Sequence, residues 1–471
     1  MAKDNAISRM ITGFRNCFKI PELRDRIIFT LLVLAVCRLI AWVPIPGLDG
    51  VQLQDYFSDL REKQSQEGIG FLGIYSMFTG GAWERCSIGG LGIMPYISAT
   101  IILQLMTPII PRLSRLSREE GGRVKIMQIG RVMTLFLCLG QGYVMSLGWL
   151  SPETVLPGYD KGVLATGGIA YHLQTMMALT CGTMLLMWLG EQITERGIGN
   201  GVSLVITIGI VADLPRALPM VWEMFAPQQW TGADPTMTRS MFEGIFLIFL
   251  LLAVVAAVVA VTQAQRKIPV QHAQRAVGRK VYAGGSSFMP LRVNYSGVMP
   301  LIFAQAILMF PGMVLRSLGS IEGWEEIFLT AATWFEAGHW FYYVTYALMI
   351  MFFAYFWVAT TFNEIEIADN LKKNGGYIPG VRPGKATSDF LHKTMSRITF
   401  AGASFLVIIA IIPMILGDAQ NIPYQVSQFF GGTSILIAVG VTLDTMRQME
   451  SYLLMRHYDG FLRKGRVRGR F

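Results

Sequence analysis

Apolar positions along this 471-residue chain run in long unbroken stretches, not in the half-polar stripes of a soluble fold. Between Arg85 and Arg112 lie 26 residues with no Asp, Glu, Lys or Arg. Arg131 to Glu153 leaves 21, and Lys161 to Glu191 leaves 29. The gaps Glu243–Arg266, Arg292–Arg316, Glu336–Glu364, Arg397–Asp418 and Asp418–Asp444 hold 22, 23, 27, 20 and 25. A helix needs about 20 mainly apolar residues to cross a bilayer, and a charge at mid-bilayer costs about 2.5–3.5 kcal/mol on insertion scales. Eight spans follow. Two more lie at Arg26–Asp49, apolar apart from Arg38, and at Arg196–Asp213, which starts glycine-rich and continues past Arg216. Phe246–Ala260 lacks the alternation of a barrel strand. The ten spans are therefore expected as helices, which satisfy their own backbone groups in lipid.

The charges orient these spans. Forty Lys and Arg stand against 31 Asp and Glu, a net charge of +9. With the segments assigned alternately to two sides, 31 Lys and Arg fall on the side of the termini and seven on the other. The positive-inside rule then places both termini in the cytoplasm, so the basic balance is mainly a topology signal, with polyanion binding second. Charged residues are 15% of the chain and mean hydropathy is +0.45, which argues against a soluble enzyme and against disorder. Residues 1–26 contain no apolar run of the kind a cleavable signal needs. The five cysteines are scattered with no CxxC, so neither a disulfide framework nor a metal site is expected.

The reading divides the chain into a cytoplasmic segment 1–26, an N-terminal half 27–212 with five spans, an external hinge loop 213–240, a C-terminal half 241–444 with five spans, and a basic cytoplasmic tail 445–471. Self-similarity between the halves is weak. Three connecting segments stand out. Residues 45–88 leave the first span through Pro44-Ile45-Pro46-Gly47 and end in an apolar piece broken by glycine, Gly70 to Gly81. By composition this piece is an interfacial segment or a small movable helix packed inside the bundle. Residues 264–292 carry Arg266, Lys267, Arg275, Arg279, Lys280 and Arg292 with no acid, an excess over topology that suits anionic lipid, an acidic protein or RNA. Residues 362–397 present Arg382 at the tip of a Pro/Gly-rich turn, Ile378 to Gly384.

Catalytic chemistry is missing from the pattern. Coupled transport and membrane catalysis use ionisable groups at depth. The spans hold few: His172 and His339 near the outer ends, and Arg38, which is expected to pair with helix-end carbonyls or a partner helix. HExxH is absent, and Gly380 to Thr387 fails the phosphate-loop spacing. Neither a catalytic residue nor a cofactor is expected. The rival readings are a small-solute transporter built on inverted repeats and an intramembrane protease. The first lacks deep carboxylates and the second a catalytic pair. The polar groups at depth are neutral, among them Ser98, Thr100, Gln104, Gln128, Asn294, Ser296 and Gln305.

Four motifs point to one family: Leu91-Gly-Ile-Met-Pro-Tyr-Ile-Ser-Ala-Thr-Ile-Ile-Leu-Gln-Leu105, Trp188-Leu-Gly-Glu-Gln-Ile-Thr-Glu-Arg-Gly-Ile-Gly-Asn-Gly-Val-Ser203, Ala368-Asp-Asn-Leu-Lys-Lys-Asn-Gly-Gly-Tyr-Ile-Pro-Gly-Val-Arg-Pro-Gly384, and Phe430-Gly-Gly-Thr-Ser-Ile-Leu-Ile437. Together they resemble the SecY family, channel subunits of the bacterial protein translocase, from the first span to the tenth.

The resemblance implies an all-α polytopic membrane protein. Its ten transmembrane helices form two inverted, pseudo-symmetric five-helix halves around a central pore. It implies a pore ring of Ile93, Ile97, Val202, Ile206, Ile302 and Ile437, and a plug at about 71–84 with Phe71, Leu72, Ile74, Tyr75, Met77, Phe78, Gly80 and Gly81. It implies a lateral gate at Ser98, Thr100, Gln104, Asn294 and Gln305. Arg266, Lys267, Arg275, Arg279, Lys280 and Arg382 would dock a SecA motor ATPase or the ribosome. The function implied is a passive channel in the bacterial inner membrane, with no ATPase of its own, that conducts secretory and membrane-protein precursors bearing signal sequences. SecE-like and SecG-like subunits and anionic lipid are the further partners implied.

Overall fold

The computed structural model describes residues 20–62, 75–119, 121–150, 152, 159, 167–225, 241–272, 275–277, 280–282, 285–319, 325–335, 338–419 and 432–464. Each of the ten apolar stretches holds a helix: α1 (Pro21–Ile40), α3 (Met94–Ile109), α5 (Gly122–Leu150), α6 (Ile169–Arg196), α7 (Gly201–Phe225), α8 (Met241–Gln263), α9 (Met299–Leu318), α11 (Trp340–Thr361), α13 (Lys385–Ala419) and α14 (Thr433–Lys464). Shorter helices lie between them: α2 (Gly50–Glu62), α4 (Pro111–Arg118), α10 (Glu325–Thr333) and α12 (Glu364–Lys373). Among the described residues, five helical stretches are long and apolar enough to cross a membrane: Val124–Leu150, Ile169–Arg196, Phe242–Gln263, Trp340–Lys373 and Lys385–Gly417. The pair α3–α4, bent by 101°, makes a sixth. That bend has a local cause. Ile110 ends one helix and begins the next with φ −90° and ψ 113°, the extended conformation that a following proline, here Pro111, imposes.

The chain divides into two compact units, Met1–Leu218 with Met313–Leu329 and Val441–Phe471, and Pro219–Gly312 with Thr330–Gly440. In the first, α3, α5 and α6 pack together and α1 lies on α6. Arg131 of α5 donates to both carboxylate oxygens of Glu191 in α6, at 3.2 and 2.7 Å. The turn from α6 to α7 is built on short contacts. Gly199 has φ +92°, and a side chain at Gly201 would strike the Gly190 carbonyl oxygen at 1.8 Å. Its backbone is tied to distant helices: Ile198 N donates to Thr30 Oγ1 of α1 at 3.1 Å, and Gly199 N to Gln448 Oε1 of α14 at 2.9 Å. Below it, Leu23 and Ile198 form an apolar cluster with Ile27, Met449 and Leu453.

In the second unit the basic segment 264–292, expected as a loop, is a β-hairpin. Strand β1 (Gln265–His272) pairs antiparallel with β4 (Ser286–Arg292), Gln265 opposite Arg292 and Gln271 opposite Ser286. Between them β2 (Arg275–Val277) and β3 (Lys280–Tyr282) form a second pair. The other edge of β1 takes β5 (Gly376–Tyr377) from the second basic segment. Helix α12 is well framed within that segment. Asn363 caps it through Glu366 N, acids fill its first turn, and Lys372 and Lys373 fill its last. Ile268 and Leu291 of the hairpin are buried with Phe362, Ile378, Leu391 and Met395. Ile268 and Val270 are buried with the period of two that a strand imposes, and Ile268 seats the hairpin on that core.

Candidate functional site

The six positions expected in the pore ring lie on or at the ends of helices. Ile93 precedes α3 as its N-cap and Ile97 follows in its first turn; both are buried. Ile206 of α7 is buried and Val202 is half-buried. Within the first unit, Gly190 brings two of these positions together. The space beside its Cα is bounded by Ile93 Cδ1 and the Val202 amide nitrogen, each within 3.7 Å of where a Cβ would stand. In the second unit Ile302 of α9 and Ile437 of α14 are both buried. A Cβ on Gly440 would meet Val298 Cγ1 at 2.0 Å, so the starts of α9 and α14 are in close contact there. Ile302 and Ile437 each stand about one turn from that contact.

Of the plug positions, Phe71, Leu72 and Ile74 lie outside the described residues. Residues 75–79 form a short helical turn, and every residue from Tyr75 to Glu84 is buried. Gly80 N donates to Met77 O at 3.1 Å and Gly81 N to Ser76 O at 2.8 Å. This is the Schellman pattern, which requires a left-handed residue after the helix; Gly80 supplies φ +64°. Ser76 Oγ donates to Glu84 Oε1 at 2.5 Å across the turn. Trp83 packs edge-on against Tyr75 and against Phe57 of α2. Ile45 N and Val43 O each pair with the segment's return at Cys86 and Ile88.

Two residues hold this turn that the sequence pattern did not mark as holding it. Gly209, on α7, would place a Cβ 3.1 Å from Phe78 O and 3.5 Å from Met77 O. Glycine, having no Cβ, permits such a close backbone approach. Arg38 of α1 donates from Nη1 to Gly80 O at 3.0 Å. Of the two readings left open for Arg38, this contact matches the helix-end carbonyl.

Two of the polar positions expected at a gate, Thr100 and Asn294, have local hydrogen-bond partners. Thr100 donates to Ile97 O at 2.8 Å, which turns its hydroxyl back onto α3. Ile97, Thr100 and Gln104 follow helical spacing and share one face, while Ser98 stands off it. Asn294 Nδ2 donates to Gly297 O at 2.9 Å and Oδ1 accepts from Ser296. Gln305 is buried and neither polar atom of its side chain has a hydrogen-bond partner among the described residues. Outside the helices' middles, His172 meets Ser146 Oγ at 2.8 Å.

The described basic positions fall on the strands of the two basic segments and on the turn after β5. Arg266 and Lys267 are exposed on β1. Arg275 and Lys280 stand on β2 and β3, and Arg279 lies outside the described residues. Arg382 is exposed between two left-handed glycines, Gly380 at φ +84° and Gly384 at φ +104°. Its own carbonyl oxygen accepts from Thr387 Oγ1 at 2.9 Å. The backbone of the tip is thus fixed while the guanidinium is left to solvent. Lys372, Lys373, Lys385 and Lys393 are exposed on the same body. Among the described residues there is no cluster that could hold a metal ion.

Known proteins resemble the chain along nearly all of its length. The family model described as SecY matches residues 87–446. The protein translocase subunit SecY of Thermotoga maritima is 41% identical over 464 residues, covering 98% of this chain and 100% of the relative. That of Aquifex aeolicus is 40% identical over 452 residues, covering 95% and 98%. Among solved structures, one described as a protein conducting channel aligns with TM-score 0.57 at 17% identity over 90% of this chain and 91% of the other. Sec61 in a canine ribosome-channel complex from the endoplasmic reticulum aligns with TM-score 0.53 at 16% identity over 90% and 91%. These structures share the fold. The family match and the near-complete alignment with bacterial relatives at about 40% identity lead to one statement: the chain belongs to the SecY family.

Proposed function

We propose that the chain is the channel-forming subunit of a protein translocase, passing unfolded secretory polypeptides across the plasma membrane and releasing apolar segments sideways into lipid. The observation that carries this reading is the 41% identity to a translocase subunit over 98% of this chain and the whole of the relative. The chemistry of the site agrees. The seal falls to Ile93, Ile97, Val202, Ile206, Ile302 and Ile437, β-branched side chains that exclude water and ions by dewetting. They offer a passing chain no fixed hydrogen bonds, so its sequence is not selected. The segment 75–84, with residues 71–74 before it, acts as the plug. Ser98, Thr100, Gln104, Asn294 and Gln305 serve the lateral gate, as neutral polar groups whose interhelical bonds in lipid are of modest strength. A signal helix then partitions to lipid, each buried CH₂ favouring transfer by about 0.8 kcal/mol.

The channel is passive. A SecA-type ATPase or the translating ribosome supplies the push, docking on the basic body around Arg266, Lys267, Arg275, Arg279, Lys280 and Arg382. Solved neighbours of this fold include channels bound to ribosomes. SecE-like and SecG-like subunits complete the complex, and anionic lipid meets its basic face. The charge asymmetry supports a bacterial inner-membrane location with both termini in the cytoplasm. Reconstitution tests the reading. Vesicles holding the purified complex, given motor, ATP and a secretory precursor, should accumulate protease-protected precursor. Vesicles lacking this chain should accumulate none. Equal protection in both would overturn it.

A further inference from the structure

We infer that Arg38 is the latch of the plug: a positioning residue that grips the closing turn of residues 75–81 by the Gly80 carbonyl and lets it go when the channel opens. The inference rests on reading this segment as the plug. Arg38 is the one charged residue between Arg26 and Asp49, in the last turn of α1. A charge in a spanning helix is costly and is kept where it has work to do. Here the guanidinium meets the C-terminal end of a helical turn. The Schellman closure engages the Ser76 and Met77 carbonyls, and the Gly80 carbonyl, one residue past the helical turn, takes the guanidinium. Nη1 donates to the Gly80 oxygen at 3.0 Å.

The fit is close on three sides. A Cβ on Gly80 would collide with Arg38 Nη1 at 2.1 Å and approach Gly209 Cα at 3.1 Å. Gly209 lies three residues beyond Ile206 on α7, so the turn rests beside one ring position. A Cβ on Gly92 would meet Thr79 Cγ2 at 3.2 Å, so it also rests on the residue before Ile93. At Gly80 the turn meets the Arg38 guanidinium of α1 and the backbone of Gly209 in α7. A charge-assisted hydrogen bond, directional and short in reach, is what gives the seat a defined closed position. It breaks within an ångström or so of movement, which makes it a latch and not a tether.

The test uses the complete complex in lipid nanodiscs with Met77→Cys as its sole cysteine. Met77 is 8% exposed, so a polar maleimide should label the resting complex slowly. Arg38→Met removes the charge while keeping an apolar span, and Gly80→Ala attacks the same contact from the other side. Each should raise the labelling rate at least about tenfold. Arg38→Lys, which keeps the charge on a shorter reach, should fall between. Unchanged labelling in Arg38→Met and in Gly80→Ala would overturn the latch. Arrest of a precursor in the channel with Arg38 intact separates this from the reading beneath it. Faster labelling on arrest keeps the segment as plug whatever Arg38 does. No change on arrest would overturn the plug assignment itself.

Discussion

Gln271 of β1 stands directly opposite Tyr377 of β5, and the Tyr377 hydroxyl donates to Gln271 Oε1 at 3.0 Å. These residues are 106 positions apart and belong to the two separate basic segments. Their pairing joins in one sheet what reads as two loops. Beside them, a Cβ on Gly376 would stand 3.2 Å from the His272 ring and 3.3 Å from Val270 Cγ1. Gly376→Val should therefore pry β5 from β1, at a cost of about 1–3 kcal/mol. The lower thermal midpoint should come with weaker motor binding to the complex. Tyr377→Phe removes one exposed hydrogen bond and should change neither by a measurable amount.

Arg382→Glu reverses the charge on a tip whose backbone is already fixed by Thr387 and two glycines. The variant should fold and assemble as wild type. Motor-driven translocation in vesicles should fall by roughly tenfold, since placing like charges together at a docking surface costs several kcal/mol. A normal rate would remove Arg382 from the docking surface.

Gly201→Ala tests the turn that joins α6 to α7. The added methyl would overlap the Gly190 carbonyl oxygen at 1.8 Å, with Ile193 Cβ at 2.9 Å behind it. Backbone cannot yield there as a side-chain tip would. The yield of folded complex in detergent should drop severely, or its thermal midpoint should fall by several degrees. Gly140→Ala, on α5 with open space beside it, is the matched control and should behave as wild type.

Ile302→Ser and Ile437→Ser each place a hydroxyl among apolar positions assigned to the seal. Both residues are almost fully buried, and a polar group there favours wetting of a narrow apolar passage. Halide flux through the resting complex should rise several-fold in each variant. Substitution of Ile412, an exposed isoleucine of α13, should leave it unchanged.

The sequence made the spans legible because the membrane imposes a strong, local rule: long apolar runs without charge must be helices. The hairpin was not legible. Arg266 to Arg292 reads as a solvated basic loop, and only Ile268 and Val270 hint at an inward face. Its partner strand is two residues long and a hundred residues away, beyond any periodic signal. Arg38 stood out as a charge in a span, but its carbonyl partner is set by a turn that the chain reaches 42 residues later. Gly209 was silent, since glycine in an apolar helix is common and only the fold reveals what lies against it. Phe71, Leu72, Ile74 and Arg279 lie outside the described residues and stay as sequence assignments.

The central claim is that a polypeptide passes beside Ile97. A photoreactive residue placed at 97, and at exposed Phe136 of α5 as control, tests it directly in vesicles with a secretory chain arrested midway. The account predicts crosslinks to the chain from position 97 and none from position 136. An arrested chain that crosslinks to neither, or to both alike, in a folded complex would contradict it.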